Sequence, residues 1–383
     1  MILKKLKPMD WSIPGILVIL MLFSTLVVRS AVANNVLFEG IHIRHLFNYA
    51  VGFIVLIGAA FTNYRLLLKA APYLYGFGIA MLVAVNYFGV IKNGARGWFT
   101  LPGIGLDVQP AELMKLFLIV MAAYFLSRKE GEPLRLIRDV LPAGFIVLLP
   151  FILVLLQPDL GNAVIYVIIL SGMLWIANVK YLHVLLGLVV AGSLAAGSVY
   201  LLNAYHDPID LFLEENGAGH WMDRIDAFLY PEQASDDDTY QVNNSVRAIG
   251  SGVLFGEGYM QGDSVQKGFI PYTYSDSIFV VIGEEFGFLG ASLLLLLYFL
   301  LIYRLILISI VTPDQGGSYI IIGIVSMFVF QIFQNIGMFL GILPLTGITL
   351  PFVSYGGSSL VINMLSVGLA LSILLHADEP LDP

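Results

Sequence analysis

The sequence predicts an all-α, polytopic integral membrane protein of about ten transmembrane helices, with a long extracytoplasmic loop between helices seven and eight. Three observations carry this. Of 383 residues, 58% are hydrophobic and 12% charged, about half the roughly 25% charge of a soluble domain. Mean hydropathy is +0.86. Apolar stretches approaching the roughly 20 residues needed to cross a bilayer recur along the chain. The same figures exclude an ordinary soluble enzyme. A net charge of −8 argues against a nucleic-acid partner, which needs a basic face to neutralise phosphates. The lack of cysteine removes disulfides, thiolate metal sites and thiol nucleophiles together.

The spans centre on Ile16–Val28, Tyr49–Thr62, Tyr73–Val90, Leu113–Leu126, Leu141–Leu156, Ala163–Ile176, Leu182–Leu202, Ile278–Tyr303, Ile320–Leu343 and Leu360–Leu375. The first, with Lys4, Lys5 and Lys7 before it and Ala31-Val32-Ala33 after it, resembles a signal peptide. Its apolar run is longer than a typical signal core, so it reads as a retained helix. Pro344, Gly347, Pro351, Gly356 and Gly357 break the link between the last two spans. Irregular backbone at that depth must be shielded by protein or line a wet cavity. With both termini cytoplasmic, eleven of the 19 Lys and Arg residues fall inside, seven fall outside, and Lys115 lies within a span. That is the orientation the positive-inside rule favours. The chain reads as one transmembrane domain, 1–383, with residues 203–275 as the large loop. This loop is polar and acidic but carries Trp221, Tyr230, Tyr240, Tyr259, Phe269 and Tyr272, so pure disorder is not expected. Asp236-Asp237-Asp238 reads as a solvated tip.

Charges in or beside membrane spans are costly and therefore suggest function. Ser275-Asp276-Ser277 opens span eight, followed by Gly283-Glu284-Glu285-Phe286-Gly287. Asp276 has two readings, a carboxylate working at the outer surface or, with Ser275, a plain helix cap. Glu284 and Glu285 lie two turns further in, where no cap role is expected, and at least one should face a partner in the bundle. In Gln157-Pro158-Asp159-Leu160-Gly161, Asp159 reads as the cap of span six. Glu112 and Lys115 are three apart on one helix face and can pair. That pair is either structural, or Lys115 joins Arg96 in facing a phosphate. Gly250, Gly252, Gly256, Gly258 and Gly262 either make turns or let backbone N–H groups approach an anion. The six histidines show no metal-ligand spacing. On residues alone, an enzyme acting on a lipid-linked substrate and a transporter remain equally open.

Together these motifs resemble the SEDS family of cell-wall proteins (RodA, FtsW, SpoVE), over nearly the whole chain. The family pattern G-A-x-x-W…Q-P-[SA]-E-x-x-K falls on Gly94, Ala95, Trp98, Gln109, Pro110, Ala111, Glu112 and Lys115. Q-P-D-L-G falls on Gln157–Gly161. The Y-Q…S…A-[IL]-G-S-G…G-x-G pattern falls on Tyr240, Gln241, Ser245, 248–252, Gly256 and Gly258. P…[ST]-D-x-I-F…G-E-E-x-G falls on Pro271, Ser275, Asp276, Ile278, Phe279, 283–285 and Gly287. P-x-x-S-Y-G-G-S-S falls on Pro351 and 354–359. Gly97 stands where many members have Arg, Tyr274 where many have His, and Ser277 replaces the usual Phe.

The resemblance implies a peptidoglycan glycosyltransferase of the bacterial plasma membrane, slightly more RodA-like, that polymerises lipid II. It implies Asp276 as general base, undecaprenyl pyrophosphate as leaving group, and Arg96, Lys115 and Arg224 as cations for the pyrophosphate. Glu112, Asp159, Ser275, Glu284 and Glu285 would support them. No nucleotide is needed, and a divalent cation is the one cofactor this chemistry leaves room for. A class B penicillin-binding protein is the implied partner. The rival from another class is a flippase for lipid-linked precursors, which needs charges along a continuous transmembrane path. A scaffold for the penicillin-binding protein would tolerate loss of Asp276.

Overall fold

The computed structural model describes residues 10–34, 38, 40–92, 95–100, 107–129, 131–215, 222, 225–226, 229–230 and 236–377. Among these, nine helices are long and apolar enough to cross a bilayer. They are α1 (Ser12–Ala31), α2 (Ile41–Phe61), α4 (Ala71–Phe88), α5 (Pro110–Ser127), α6 (Leu141–Leu155, extended by a π-helical turn Leu136–Val140), α8 (Tyr181–Ala204), α12 (Ile278–Val311), α13 (Gln315–Phe339) and α14 (Gly357–Leu375). A short α3 (Tyr64–Lys69) links α2 to α4. The apolar α7 (Leu160–Ile176) is shorter, at 17 residues, and coincides with the sixth predicted span. All ten predicted spans are thus helical, and the chain is a polytopic helical membrane protein.

Local chemistry sets the helix starts. Pro110 opens α5, where its missing N–H costs nothing. Asp159 caps α7 by accepting from Asn162 N at 3.0 Å, and Asp314 caps α13 through Gly316 and Gly317. The bundle is centred on α13, which packs on α5, α7 and α12, while α14 lies along α2. At that contact a Cβ on Gly368 would stand 2.5 Å from the Leu56 carbonyl oxygen, so only glycine permits the approach. The first helix is an integral part of this bundle. Its Ser24 and Ser30 hydroxyls donate to Val353 O and Glu285 Oε1, each at 2.6 Å. By contrast, α8 has no buried residue.

Two features were not foreseen. A small antiparallel meander, β1 (Val90–Lys92), β2 (Ala95–Thr100) and β3 (Asp107–Val108), joins α4 to α5, so the all-α class needs this addition. Trp98 pairs with Val90, and Phe99 with Val108. The large loop also contains helices: α9 (His206–Glu215), α10 (Asp236–Ser251) and α11 (Asp263–Gln266). Asp236-Asp237-Asp238 therefore begins a helix.

The glycine-rich segment after α10 has a packing role. Gly287 sits at φ +62 inside α12 and breaks it. The opened turn pairs with the loop: Glu257 N and Gly258 N donate to Glu284 O and Glu285 O, at 2.8 and 3.1 Å. Phe288 N and Leu289 N donate to Val253 O and Leu254 O, at 2.9 and 3.1 Å. A Cβ on Gly256 would meet Glu285 O at 2.2 Å. Neither reading of these glycines named this role, which is close packing of backbone on backbone.

Candidate active site

The broken link between α13 and α14 forms one wall of the site. Irregular backbone in a bundle must find hydrogen-bond partners, and here side chains from four helices supply them. Ser24 of α1, Tyr49 of α2 and Tyr298 of α12 donate to the carbonyls of Val353, Phe352 and Pro351. From α13, Gln334 donates to Pro344 O at 3.1 Å. Fully buried Asn335 donates from one amide nitrogen to Ile348 O at 2.7 Å and to Asp276 O at 2.8 Å.

That double contact clamps the start of α12 against the link and fixes Asp276 at the mouth of a crevice of about 420 Å³. Asp276 is half-buried on its wall, with Ser275, Tyr272 and Tyr274 beside it. Its carboxylate accepts from the adjacent Ser277 N at 3.2 Å. It is not the side-chain cap of α12, whose N-cap Ser277 makes no cap bond either. Burial, followed by the neighbouring Tyr272 and Asp276, pushes the Tyr274 phenol above its ordinary pKa. Tyr274 is therefore a neutral donor at physiological pH.

The opposite wall comes from β3, α5 and the α6–α7 turn. Gln109 Nε2 and Asn162 Nδ2 donate to Asp159 Oδ2 at 3.0 and 2.8 Å. Asp159 keeps some surface, yet desolvation holds its carboxyl above the usual range. Hydrogen bonds from Asn162 oppose that rise, and the nearby Glu112 charge adds to it. Glu112 lines the same wall, and its Oε1 lies 2.7 Å from Lys115 Nζ, which is fully buried behind it. The expected Glu112–Lys115 pair is therefore present.

Of the expected site residues, Asp276, Ser275, Glu112 and Asp159 meet in this crevice. Lys115 does not line it, and Arg96 is exposed on β2, donating to Asn86 O at 3.2 Å. The structure thus does not bring Arg96 and Lys115 to one cavity wall. Arg224 lies outside the described residues. Among the described lining residues there are four carboxylates and no Lys or Arg. No group of three or more His, Asp or Glu side chains among the described residues converges on a metal position.

Glu284 and Glu285 are buried one layer behind the site. Glu284 caps α11, accepting from Ser264 N at 2.7 Å and Val265 N at 3.0 Å. Glu285 accepts from Ser30 and Gln266. They tie the loop to the bundle. Glu284→Gln should speed amide exchange at Ser264 and Val265 about tenfold or more, since hydrogen bonds to a charged acceptor contribute about 1.5–3 kcal/mol. Exchange measured by mass spectrometry checks this, and unchanged rates would refute the capping role.

Asn335 was missed from sequence, since it lies outside the motifs. Gln109, Gln241 and Ser358 sit within the motifs but carried no assigned role. Both Asn335 contacts run from N–H to carbonyl, so Asn335→Asp cannot make them. It should be at least as damaging as Asn335→Ala, each lowering stability by about 2–4 kcal/mol as one buried and one half-buried carbonyl lose their donor. Thermal unfolding in detergent decides the ranking. A stable Asn335→Asp protein would show that the clamp is absent.

A helical bundle of apolar spans with a carboxylate-lined crevice defines the class, a polytopic membrane protein that carries a polar site. The cell cycle protein family FtsW/RodA/SpoVE matches residues 6–379, and the chain belongs to that family. Stage V sporulation protein E of Bacillus subtilis is 37% identical over 300 residues, covering 78% of this chain and 76% of its own. The peptidoglycan glycosyltransferase MrdB of Escherichia coli K12 is 34% identical over 367 residues, covering 94% and 92%. Among solved structures, a chain of a peptidoglycan synthase complex that coordinates polymerization and crosslinking aligns with TM-score 0.79 and 27% identity, covering 97% of this chain and 99% of that one. The rod shape determining protein RodA of Thermus thermophilus aligns at 0.70 and 27%, covering 97% and 98%.

Proposed function

We infer that this chain is a peptidoglycan glycosyltransferase that polymerises lipid II, with Asp276 as its general base. Glycosyltransferase is the activity named for its full-length relatives. The observation that carries the assignment of Asp276 is its place on the crevice wall, with its backbone clamped by Asn335. A sugar hydroxyl is a weak nucleophile, and a positioned base assists it. Asp276 takes the proton from the GlcNAc 4-hydroxyl of the acceptor. That oxygen forms a bond to the MurNAc anomeric carbon of the donor as the carbon–oxygen bond to pyrophosphate breaks. Undecaprenyl pyrophosphate leaves with the electron pair, and direct displacement inverts the anomeric centre.

Stabilising the leaving charge is the second task. Arg96, exposed beside the crevice-lining Trp98, and Arg224 are proposed to meet the pyrophosphate. Lys115 acts indirectly, by orienting Glu112. The excess of Lys and Arg supports cytoplasmic termini and a crevice that opens outside. A class B penicillin-binding protein is the proposed transpeptidase partner, in keeping with the synthase complex matched above.

Purified protein given lipid II should yield glycan polymer on a gel. Transfer of labelled lipid II across vesicles without polymer would instead establish the flippase reading.

A further inference from the structure

The segment 271–277 has a cavity on each of its sides. One is the crevice that holds Asp276. The other has a volume of about 330 Å³ and shares Tyr272 and Tyr274 with the first as a common wall. Asn34, Phe38, Lys267 and Ile270 are among its remaining walls.

Two features mark this partition as built for recognition. Tyr272 is a non-glycine residue at φ +54, a region that costs an L-residue roughly 1–2 kcal/mol. Its carbonyl is held there by Ser275 N at 2.9 Å, and the residue is 45% exposed. Such strain gathers where a side chain must be aimed. The Phe38 and Tyr274 rings, in turn, pack with centroids 4.6 Å apart, which gives the cavity an aromatic side.

Around these rings stand the Asn34 amide and the Lys267 ammonium. The latter is already paired with Asp263 Oδ2 at 2.8 Å. A single paired cation is a weak site for a pyrophosphate. Ring faces edged by a few polar groups suit a neutral, N-acetylated sugar, whose C–H face lies on an aromatic ring while its hydroxyl and acetamido groups bond at the edge. We propose that this second cavity is a glycan subsite, holding sugars of the strand adjacent to the unit that reacts at Asp276. The proposal rests on the glycosyltransferase reading, in which a strand retained between couplings needs contacts beyond the crevice.

The test uses the full chain in detergent with Phe38→Ala and Lys267→Ala, each checked for folding by thermal melting. Equilibrium dialysis measures binding of lipid-free, soluble glycan fragments of alternating N-acetylated sugars. A gel measures mean strand length at matched lipid II consumption. Wild type should bind the fragments, both variants should bind about tenfold more weakly, and both should make strands several-fold shorter. Equal affinities, equal strand lengths, or no binding by wild type would each overturn the subsite. Fragment binding that weakens in the variants, from a wild type that makes no polymer, would support the subsite and remove the polymerase reading instead.

Discussion

Asp276→Asn should lower lipid II polymerisation by about 10²–10⁴-fold, the range a positioned general base contributes, with the protein still folded. Two contacts that place residue 276 survive the change. Asn335 holds its carbonyl, and Ser277 N donates to Oδ1, an atom that asparagine retains. Shape and anchors therefore survive while the proton acceptor is lost. Because the group works only as the acceptor proton moves, the fall should appear in kcat with little change in KM. Asp276→Ala should match it. Polymerisation near the wild-type rate in both variants would dismiss Asp276 as the base.

Lys115→Met should cost about 3–5 kcal/mol of stability, since removing one member of a buried ion pair leaves an uncompensated charge. Lys115 is fully buried and Glu112 is 6% exposed, so the pair is largely removed from water. The double variant Glu112→Gln with Lys115→Met should recover most of the loss, because no lone charge remains. Thermal unfolding of the wild type, both single variants and the double variant closes the cycle. Strictly additive losses would mean the two side chains act independently. If Lys115 also serves the site by holding Glu112, the stable double variant should still polymerise poorly.

Local patterns made much of this protein legible. Each of the ten spans is an apolar run whose length and hydropathy are properties of the run itself. The Asp159 cap and the Glu112–Lys115 pair are likewise spacing effects, three residues apart, and the structure shows both. The meander of 90–108 was missed because its strands are short, and the helices of the large loop because their sequence is polar. The capping by Glu284 was missed for another reason. It serves α11, some 20 residues earlier in the chain, and not the helix that carries it.

The sequence by itself thus determined a membrane bundle, its family resemblance and a short set of carboxylates worth suspecting. Only the tertiary structure decided which of them share a cavity, that Lys115 turns to Glu112 while Arg96 stays at the surface, and that Asn335 clamps Asp276. The reason is physical. Burial of an apolar run follows from its own composition, whereas a hydrogen bond between residues 59 positions apart exists only once the folded helices bring donor and carbonyl within 3 Å of each other.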